Sequence, residues 1–237
     1  MDLSIIIPCY NEAKNIPLLL QRFQNIVQNT STEIILVNNG SKDNTEELLS
    51  QLQPSYPFLR VVKVPVNQGY GFGILSGLKE ARGNFLGWTH ADLQTDPNDL
   101  FMALKLIKGN NGPPDFYIKG RRCNRPLQDI FFTYGMTLLE KIYLGEWMWD
   151  INAQPNIFHQ SFFRTWQNPP HDFSLDLYAF YMAKKQNLHI IRFNVKFPPR
   201  IHGQSSWNTG IQSKLKFIKR TLDFSWELKK NLKQTGV

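Results

Sequence analysis

GNFLGWTHADLQTDP, residues 83–97, predicts a buried strand that runs into a short acidic turn, with a helix starting at Asp96-Pro97. A carboxylate at the carboxyl end of a strand in an α/β sheet lies where ligands bind. Asp92 and Gln94 offer hard oxygen atoms, which suit Mg²⁺ or Mn²⁺ and the phosphates that accompany these ions. An Asp-x-Gln pattern is also typical of a plain helix cap, so the neighbouring segments must decide between the two interpretations.

The segments before this stretch repeat a strand-then-helix pattern. SIIIPCYNE at residues 4–12 predicts a β-branched strand, a break at Pro8 and a polar loop before an amphipathic helix. Residues 33–45 predict the same sequence of elements, and residues 60–64 a short strand. A glycine-rich loop over residues 67–73 is expected to lead into a helix from Ile74 to Ala81. Four such units in the first 110 residues predict an α/β fold with a mostly parallel sheet and helices on both faces.

Four blocks in this order resemble the family 2 nucleotide-sugar glycosyltransferases of the GT-A fold: residues 4–12, 37–45, 67–77 and 90–97. The letters ADLQ followed by a proline, and RIHGQSSW at residues 200–207, are similar to the dolichyl-phosphate mannose synthase branch and its bacterial polyprenyl-phosphate relatives. The resemblance is strong over residues 3–122 and patchy beyond. It implies a GT-A (Rossmann-like) fold, with a mostly parallel central sheet flanked by helices.

The resemblance also implies a pocket for the nucleotide-sugar donor. Its expected residues are Pro8, Tyr10, Asn11, Glu12, Asn39, Gly40, Asn67, Gly71, His90, Ala91 and Ser205. Asn39 stands where the family has the second acid of an Asp-Asp-Gly-Ser motif, which typically contacts the base. An amide both donates and accepts, whereas a carboxylate only accepts, so a UDP-sugar and a GDP-sugar both stay open. Gly40 and Gly71 also fit a purely conformational role.

The metal motif departs from the family in one position. The family usually has Asp-x-Asp, and here His90 replaces the first acid while Asp92 keeps the second. In the mannose synthase branch the Gln two residues on also faces the metal, so we expect Asp92 and Gln94 to hold Mg²⁺ or Mn²⁺. His90 is open to three interpretations: a metal ligand, a contact to the diphosphate, or packing alone.

Acceptor and catalytic residues are expected in the second half of the chain. Arg121 matches the Arg of the family's Gly-Ser-Arg block, which faces the acceptor phosphate, and a guanidinium suits bidentate phosphate binding. Arg122 and Arg125 are either assistants or exposed loop residues. Asp150 leads a block similar to the family's next one, although the usual Gly-rich continuation is absent. Arg200 opens a loop that closes over the diphosphate in the family, which makes Asp92, Arg121, Asp150 and Arg200 the catalytic candidates.

These residues predict an inverting glycosyltransferase that moves a sugar from a nucleotide-sugar to a polyprenyl (dolichyl-like) phosphate. A phosphate acceptor is already anionic and needs no general base. The alternative is transfer to a sugar hydroxyl in glycan, lipopolysaccharide or cell-surface polysaccharide synthesis, in which Asp150, Asp172 or Asp176 would take the proton. A non-catalytic nucleotide-sugar binder is a further alternative, because His90 and Asn39 replace acids.

Composition and charge predict where in the cell the chain acts. The net charge is +8, and residues 212–237 hold seven basic residues against two acidic ones. Apolar residues at 211, 215, 218, 222 and 226 predict one face of a basic amphipathic helix, which is typical of a membrane-surface helix or of a terminal helix packed on the domain. We therefore expect a glycosyltransferase domain over residues 1–210, a C-terminal helix over 211–237, and a cytoplasmic, peripheral membrane location. No apolar run predicts a spanning helix, and no motif indicates nucleic-acid binding.

Overall fold

The computed structural model describes residues 1–28, 30–109, 115–198, 200–201 and 211–235. Within them, seven strands form one sheet in the order β3-β2-β1-β4-β6-β5-β7. The strands are Leu3–Cys9 (β1), Thr32–Asn39 (β2), Leu59–Val64 (β3), Phe85–Trp88 (β4), Phe116–Cys123 (β5), Asn156–His159 (β6) and His189–Lys196 (β7). Strand β6 is antiparallel to β4 and β5, and the other paired strands are parallel. The prediction of a mostly parallel sheet is therefore confirmed.

Helices cover both faces of the sheet, as the repeated strand-then-helix pattern predicts. They are Ile16–Val27 (α1), Thr45–Leu52 (α2), Tyr70–Glu80 (α3), Asn98–Gly109 (α4), Leu127–Leu144 (α5), Gln160–Arg164 (α6), Leu175–Lys185 (α7) and Ile211–Thr235 (α8), with a short 3-10 turn at Gln53–Ser55. One core packs α1 and α4 against the sheet, and a second packs α3 and α7 against its other face. Strands buried on both faces explain why β1 and β2 are nearly continuous apolar runs.

The order of the strands positions the site. From β1 the chain moves outward through β2 to β3, and then returns to place β4 on the other side of β1. A crevice opens at the carboxyl ends of the strands at such a reversal, and ligands of open α/β sheets bind there. The polar residues that follow β1, β2 and β4 therefore meet at one edge of the sheet.

Helix α3 begins earlier than the sequence predicts. It starts at Tyr70, so Gly71 and Gly73 lie inside the helix and not in a loop before it. A Cβ on Gly71 would stand 2.5 Å from the carbonyl oxygen of Pro170, and one on Gly73 would stand 3.1 Å from Nδ2 of Asn39. The expected loop was wrong because these glycines permit close packing of the helix against its neighbours, which composition alone cannot distinguish from a flexible turn.

Helices α5 and α8 lie side by side and run in the same direction. The rings of Phe132 and Phe217 are 6.1 Å apart, and eight residues further along each helix Ser225 Oγ donates to Glu140 Oε2 at 2.8 Å. The apolar line expected to form one face of the tail helix is only partly packed on the protein, with Ile218 and Leu222 half-buried. Thr221, Ser225 and Leu228 are buried, whereas Leu215 and Trp226 are both 59% exposed. Helical periodicity alone could not tell which of two partly apolar faces would be covered.

Candidate functional site

A cavity of about 1280 Å³ opens at the carboxyl ends of β1, β2 and β4. Its walls come from the loops after these strands, from the start of α3, from the inner face of α5 and from the start of α7. The segment after β7, including Phe197, Pro198 and Arg200, also lines it. A cleft of this size that is lined by charged side chains is where an α/β protein is expected to bind its ligand.

Seven of the expected donor-binding residues line this cavity: Pro8, Tyr10, Glu12, Asn39, Asn67, His90 and Ala91. Asn39 is buried, and its Nδ2 donates to the carbonyl oxygen of Gly69 at 2.8 Å. Its Oδ1 has no hydrogen-bond partner among the described residues. The amide thus keeps an acceptor oxygen, as a carboxylate at this position would, but in the structure this oxygen is buried.

Three of the expected donor residues, Asn11, Gly40 and Gly71, are described but are not among the residues that line the cavity. Asn11, with φ of 58°, ties two loops together: its backbone N–H donates to Ser41 Oγ, and its Oδ1 accepts from the backbone of Lys42. A Cβ on Gly40, where φ is +69°, would stand 2.4 Å from the backbone nitrogen of Asn67. Gly71 packs against Pro170, as described above. Ser205 lies outside the described residues.

Glu12 lines the part of the cavity where the donor-binding residues are expected. Asn15 Nδ2 donates to Glu12 Oε2 at 2.6 Å. Burial raises the pKa of the Glu12 carboxyl, and the Asn15 hydrogen bond partly opposes this rise. The negative charge of Asp92 raises it further, whereas Arg200 lowers it. Glu12, Asp92 and Arg200 therefore belong to one electrostatic cluster.

The predicted metal ligands lie together at the end of β4. Arg200 joins them, because its NH2 is 2.9 Å from Asp92 Oδ2 and its Nε donates to Gln94 Oε1 at 3.1 Å. Gln94 Nε2 in turn donates to the carbonyl oxygen of Pro198 at 2.8 Å. Leu93 holds this turn with φ of 62° while its side chain is buried. The turn after β4 and the segment after β7 are therefore joined by charge and hydrogen bonds.

Few metal-ligating side chains lie at the end of β4. Within the described part of the chain, no three His, Cys, Asp or Glu side chains group as a complete metal site. Asp92 and Gln94 supply a carboxylate and an amide oxygen, and His90 lies beside them in the cavity wall with its ring 5.7 Å from that of Tyr70. Mg²⁺ and Mn²⁺ are commonly held by one or two carboxylates together with substrate phosphates. The residues therefore fit a divalent ion whose remaining coordination positions a substrate diphosphate would fill.

Where the sequence predicts the acceptor site, the structure separates Arg121 from Arg122. Successive residues of a strand point to opposite faces. Arg122 and Arg125 line the cavity, whereas Arg121 is exposed, is not among the described lining residues, and donates through Nε to Asn194 Oδ1 at 2.8 Å. The sequence assigned the acceptor position to Arg121, and the structure presents Arg122 and Arg125 instead.

Asp150 lies behind the two arginines. Its Oδ2 accepts from the backbone N–H of Arg122 at 2.8 Å, and its Oδ1 accepts from both Nε and NH2 of the same residue. Arg125 NH1 is 3.5 Å from Asp150 Oδ1 and donates to Thr133 Oγ1. These arginines hold the pKa of the Asp150 carboxyl below its usual range in spite of burial. Asp150 positions the arginines, and its low pKa argues against a role as proton acceptor.

Asp176 is a cavity residue to which the sequence gave only a tentative role. It is buried at the start of α7, and its Oδ1 accepts from Trp88 Nε1 at 3.1 Å and from Gln154 Nε2 and Asn156 Nδ2 at 2.9 Å. Asp172, the other carboxylate of this segment, is not among the described residues of the cavity wall and pairs with Arg220 at 3.4 Å. The sequence shows that Asp172 and Asp176 are four residues apart, but this spacing does not predict which of the two side chains faces the cavity.

Lys119 extends the network of Asp176 into the core. It is fully buried on β5, and its Nζ donates to Asn156 Oδ1 at 2.6 Å and to the carbonyl oxygen of Ala153 at 2.8 Å. Burial lowers the pKa of the Lys119 ammonium to about 7, although Asp176 opposes this shift. Sequence analysis missed this residue because a lysine in a strand normally predicts an exposed position.

Among the described residues, no helix is long and apolar enough to cross a membrane.

Comparison with known proteins agrees with this geometry. The family model described as "Glycosyl transferase family 2" matches residues 4–166. The dolichol-phosphate mannosyltransferase of Pyrococcus furiosus is 31% identical over 147 residues, which cover 61% of this chain and 42% of that protein. A dolichyl-phosphate beta-glucosyltransferase of Trichomonas vaginalis is 34% identical over 113 residues, which cover 45% of this chain and 35% of that protein. The matches thus span less than half the length of these relatives.

Solved structures share the fold. The glucosyl-3-phosphoglycerate synthase of Mycobacterium tuberculosis, crystallised with Mn²⁺, UDP and glucosyl-3-phosphoglycerate, superposes with a TM-score of 0.70. It is 17% identical, and the match covers 100% of this chain and 80% of that one. This likeness confirms the expected GT-A fold. Because the family model covers more than half of the sequence, the chain belongs to glycosyl transferase family 2.

Proposed function

We propose that the protein is an inverting glycosyltransferase that moves a sugar from a nucleotide-sugar donor to a polyprenyl phosphate. The observation that carries the proposal is the pair Arg122 and Arg125, which line the cavity and are held there by buried Asp150. Two guanidinium groups fixed in one wall suit an anionic phosphate. The relatives whose names specify a dolichyl or undecaprenyl phosphate support this choice of acceptor.

The donor occupies the opposite end, between the loops after β1, β2 and β4. Asp92 and Gln94 would hold Mg²⁺ or Mn²⁺, and the ion would neutralise charge on the diphosphate. When the donor binds, the Asn39 amide is expected to turn so that its Oδ1, buried in the structure, accepts a hydrogen bond from a ring N–H of the base, which uracil and guanine both offer. A UDP-sugar is the first candidate, because neighbours of the same fold were crystallised with UDP and Mn²⁺ or Mg²⁺.

Arg200 has a second role in this scheme. In the structure it pairs with Asp92 and Gln94, the two residues that would hold the metal. When the donor and its cation bind, the guanidinium is expected to turn from Asp92 to the diphosphate. Fixed positive charge at the leaving group lowers the barrier to cleavage of the bond to the anomeric carbon. A lipid phosphate is anionic and attacks that carbon without a general base.

A second candidate function is transfer to a sugar hydroxyl. The specific observation in its favour is Asp176, a buried carboxylate in the cavity wall whose Oδ1 is fixed by three N–H donors. A carboxylate placed in this way could accept the proton of an attacking hydroxyl.

We further propose that residues 1–210 form the catalytic domain and that residues 211–237 bring it to a membrane surface, as a peripheral protein on the cytoplasmic face. The exposed lysines of α8 support this assignment, since each well-placed basic residue contributes about 1 kcal/mol on anionic lipid. Removing residues 212–237 should reduce co-sedimentation with anionic vesicles, and the binding should weaken in high salt.

One experiment separates the acceptor classes. Purified protein is given a panel of UDP- and GDP-sugars with a short-chain isoprenyl phosphate, the matching alcohol, or free sugars. We expect transfer to the phosphate alone. Transfer to a sugar hydroxyl that is lost in Asp176→Asn would establish the second function instead, and binding of donor without transfer to any acceptor would indicate a nucleotide-sugar binder.

A further inference from the structure

The outer face of α5 is an exposed apolar ridge. Five large side chains at four- and three-residue spacing form it, namely Leu127, Phe131, Tyr134, Leu138 and Ile142, and we call these residues the α5 ridge. Phe131 is 77% exposed, Leu127 74% and Ile142 67%. Lys141 is the one charged residue at an exposed position of α5, a helix described along its whole length. Scattered exposed apolar residues are ordinary, but a continuous row along one helix marks an interaction surface.

The inner face of the same helix forms part of the cavity. Asp129, Phe132, Thr133, Met136 and Thr137 line it, and so does Pro126, which directly precedes the helix. Arg125, one of the two proposed phosphate-binding residues, directly precedes this point. Helix α5 therefore lies between the proposed acceptor end of the cavity and any partner that binds the α5 ridge.

We propose that the α5 ridge inserts into the interfacial region of a lipid bilayer, so that the acceptor end of the cavity opens at the membrane surface beside the beginning of α5. The inference rests on the proposed lipid-phosphate acceptor. A polyprenyl phosphate has its phosphate at the headgroup level and its chain in the hydrocarbon. With the ridge inserted, the phosphate reaches Arg122 and Arg125 while the chain stays in the bilayer.

Charge favours a lipid surface over a second copy of the chain. Helix α8 runs beside α5 and presents exposed Lys216, Lys219, Lys229 and Lys230 together with exposed Leu215 and Trp226. A basic helix with exposed Trp and Leu suits an anionic membrane interface. A symmetric dimer through α5 would bring two such basic helices towards each other and would be opposed by their repulsion.

The test compares Phe131→Glu with Met102→Glu. Met102 is a matched control, because it is 47% exposed on α4 and does not belong to the ridge. The full chain and both variants are mixed with phosphatidylcholine vesicles that contain phosphatidylglycerol. We expect Phe131→Glu to lower the partition coefficient at least tenfold, about 1.4 kcal/mol, and Met102→Glu to leave it within about twofold. Both variants should retain transfer to a short-chain isoprenyl phosphate in solution, since neither residue lines the cavity.

Vesicle binding that is equal in Phe131→Glu and the unsubstituted chain would overturn the inference. A dimer in light scattering that Phe131→Glu converts to a monomer, with no vesicle binding by either form, would also overturn it in favour of a second copy. Transfer in solution reports separately on the proposed function. If the unsubstituted chain fails to transfer to the short-chain phosphate, the proposed function fails whatever the vesicles show.

Discussion

Substituting each of two adjacent arginines by lysine tests the acceptor site directly. Arg122 lines the cavity with its side chain 9% exposed and held by Asp150, whereas Arg121 is exposed at the sheet surface. The pair is closely matched, because both residues belong to β5 and the chemical change is the same. We expect Arg122→Lys to lose most transfer activity and Arg121→Lys to lose almost none.

The magnitude follows from the geometry of Arg122. Two nitrogens of its guanidinium donate to Asp150 Oδ1, which fixes the plane of the group. Lysine keeps the charge but cannot reproduce the planar fork that binds a phosphate through two parallel hydrogen bonds. Losing a buried charged contact costs about 2–4 kcal/mol, or a fall of about 30- to 1,000-fold in kcat/KM. The exposed Arg121 should change kcat/KM by only about twofold, as surface substitutions usually do.

The assay follows transfer of labelled sugar to a short-chain isoprenyl phosphate over a range of acceptor concentrations. Thermal unfolding of each variant is the control for folding. The Tm should change little, because Asp150 still pairs with Arg125 at 3.5 Å and can also pair with the ammonium of the new lysine. Equal activity of the two variants, or a larger loss in Arg121→Lys, would refute the assignment. Loss of activity together with a large fall in Tm would show that Arg122 is structural.

Three further predictions concern the donor site and the α5–α8 contact. Asp92→Asn should abolish most turnover without unfolding the protein, and excess chelator should abolish most turnover of the unsubstituted chain. The reason is that a carboxylate and an amide carry no positive charge, so a bound cation must neutralise the diphosphate. Full activity in excess chelator would rule out the metal role. His90→Ala should weaken donor binding about tenfold in calorimetry if the imidazole contacts the metal or the diphosphate, and an unchanged Kd would leave His90 a packing residue. Burial raises the pKa of Glu140 from 4.5 to about 7, so between these values the folded state binds more protons than the unfolded chain and stability falls as the pH rises. Glu140→Gln should therefore stabilise the protein by up to about 3 kcal/mol above about pH 8 and change little near about pH 4, as measured by chemical unfolding at both pH values. A pH-independent effect of this substitution would contradict the assigned pKa.

The sequence alone determined the class of the fold, and it predicts which residues form the proposed donor end of the site. Apolar runs at β1 and β2, each followed by polar residues and a helix, predict parallel strands, and the carboxyl ends of such strands meet at one edge. Asp92 and Gln94 could be placed because they follow the end of β4 at Trp88 by only four and six residues. The blocks shared with glycosyl transferase family 2 lie in this same half of the chain.

Only the tertiary structure decided which side chains line the proposed acceptor end of the cavity. Whether Arg121 or Arg122 reaches the cavity depends on the face to which each residue of β5 points, and a one-residue difference reverses that direction. Which carboxylate among Asp150, Asp172 and Asp176 enters the cavity depends on contacts with arginines and amides 20 to 48 residues away along the chain. The covered face of α8 and the exposed ridge of α5 depend on how two helices with more than one apolar face pack together. Local periodicity describes each of those faces, but only their packing selects which one solvent can reach.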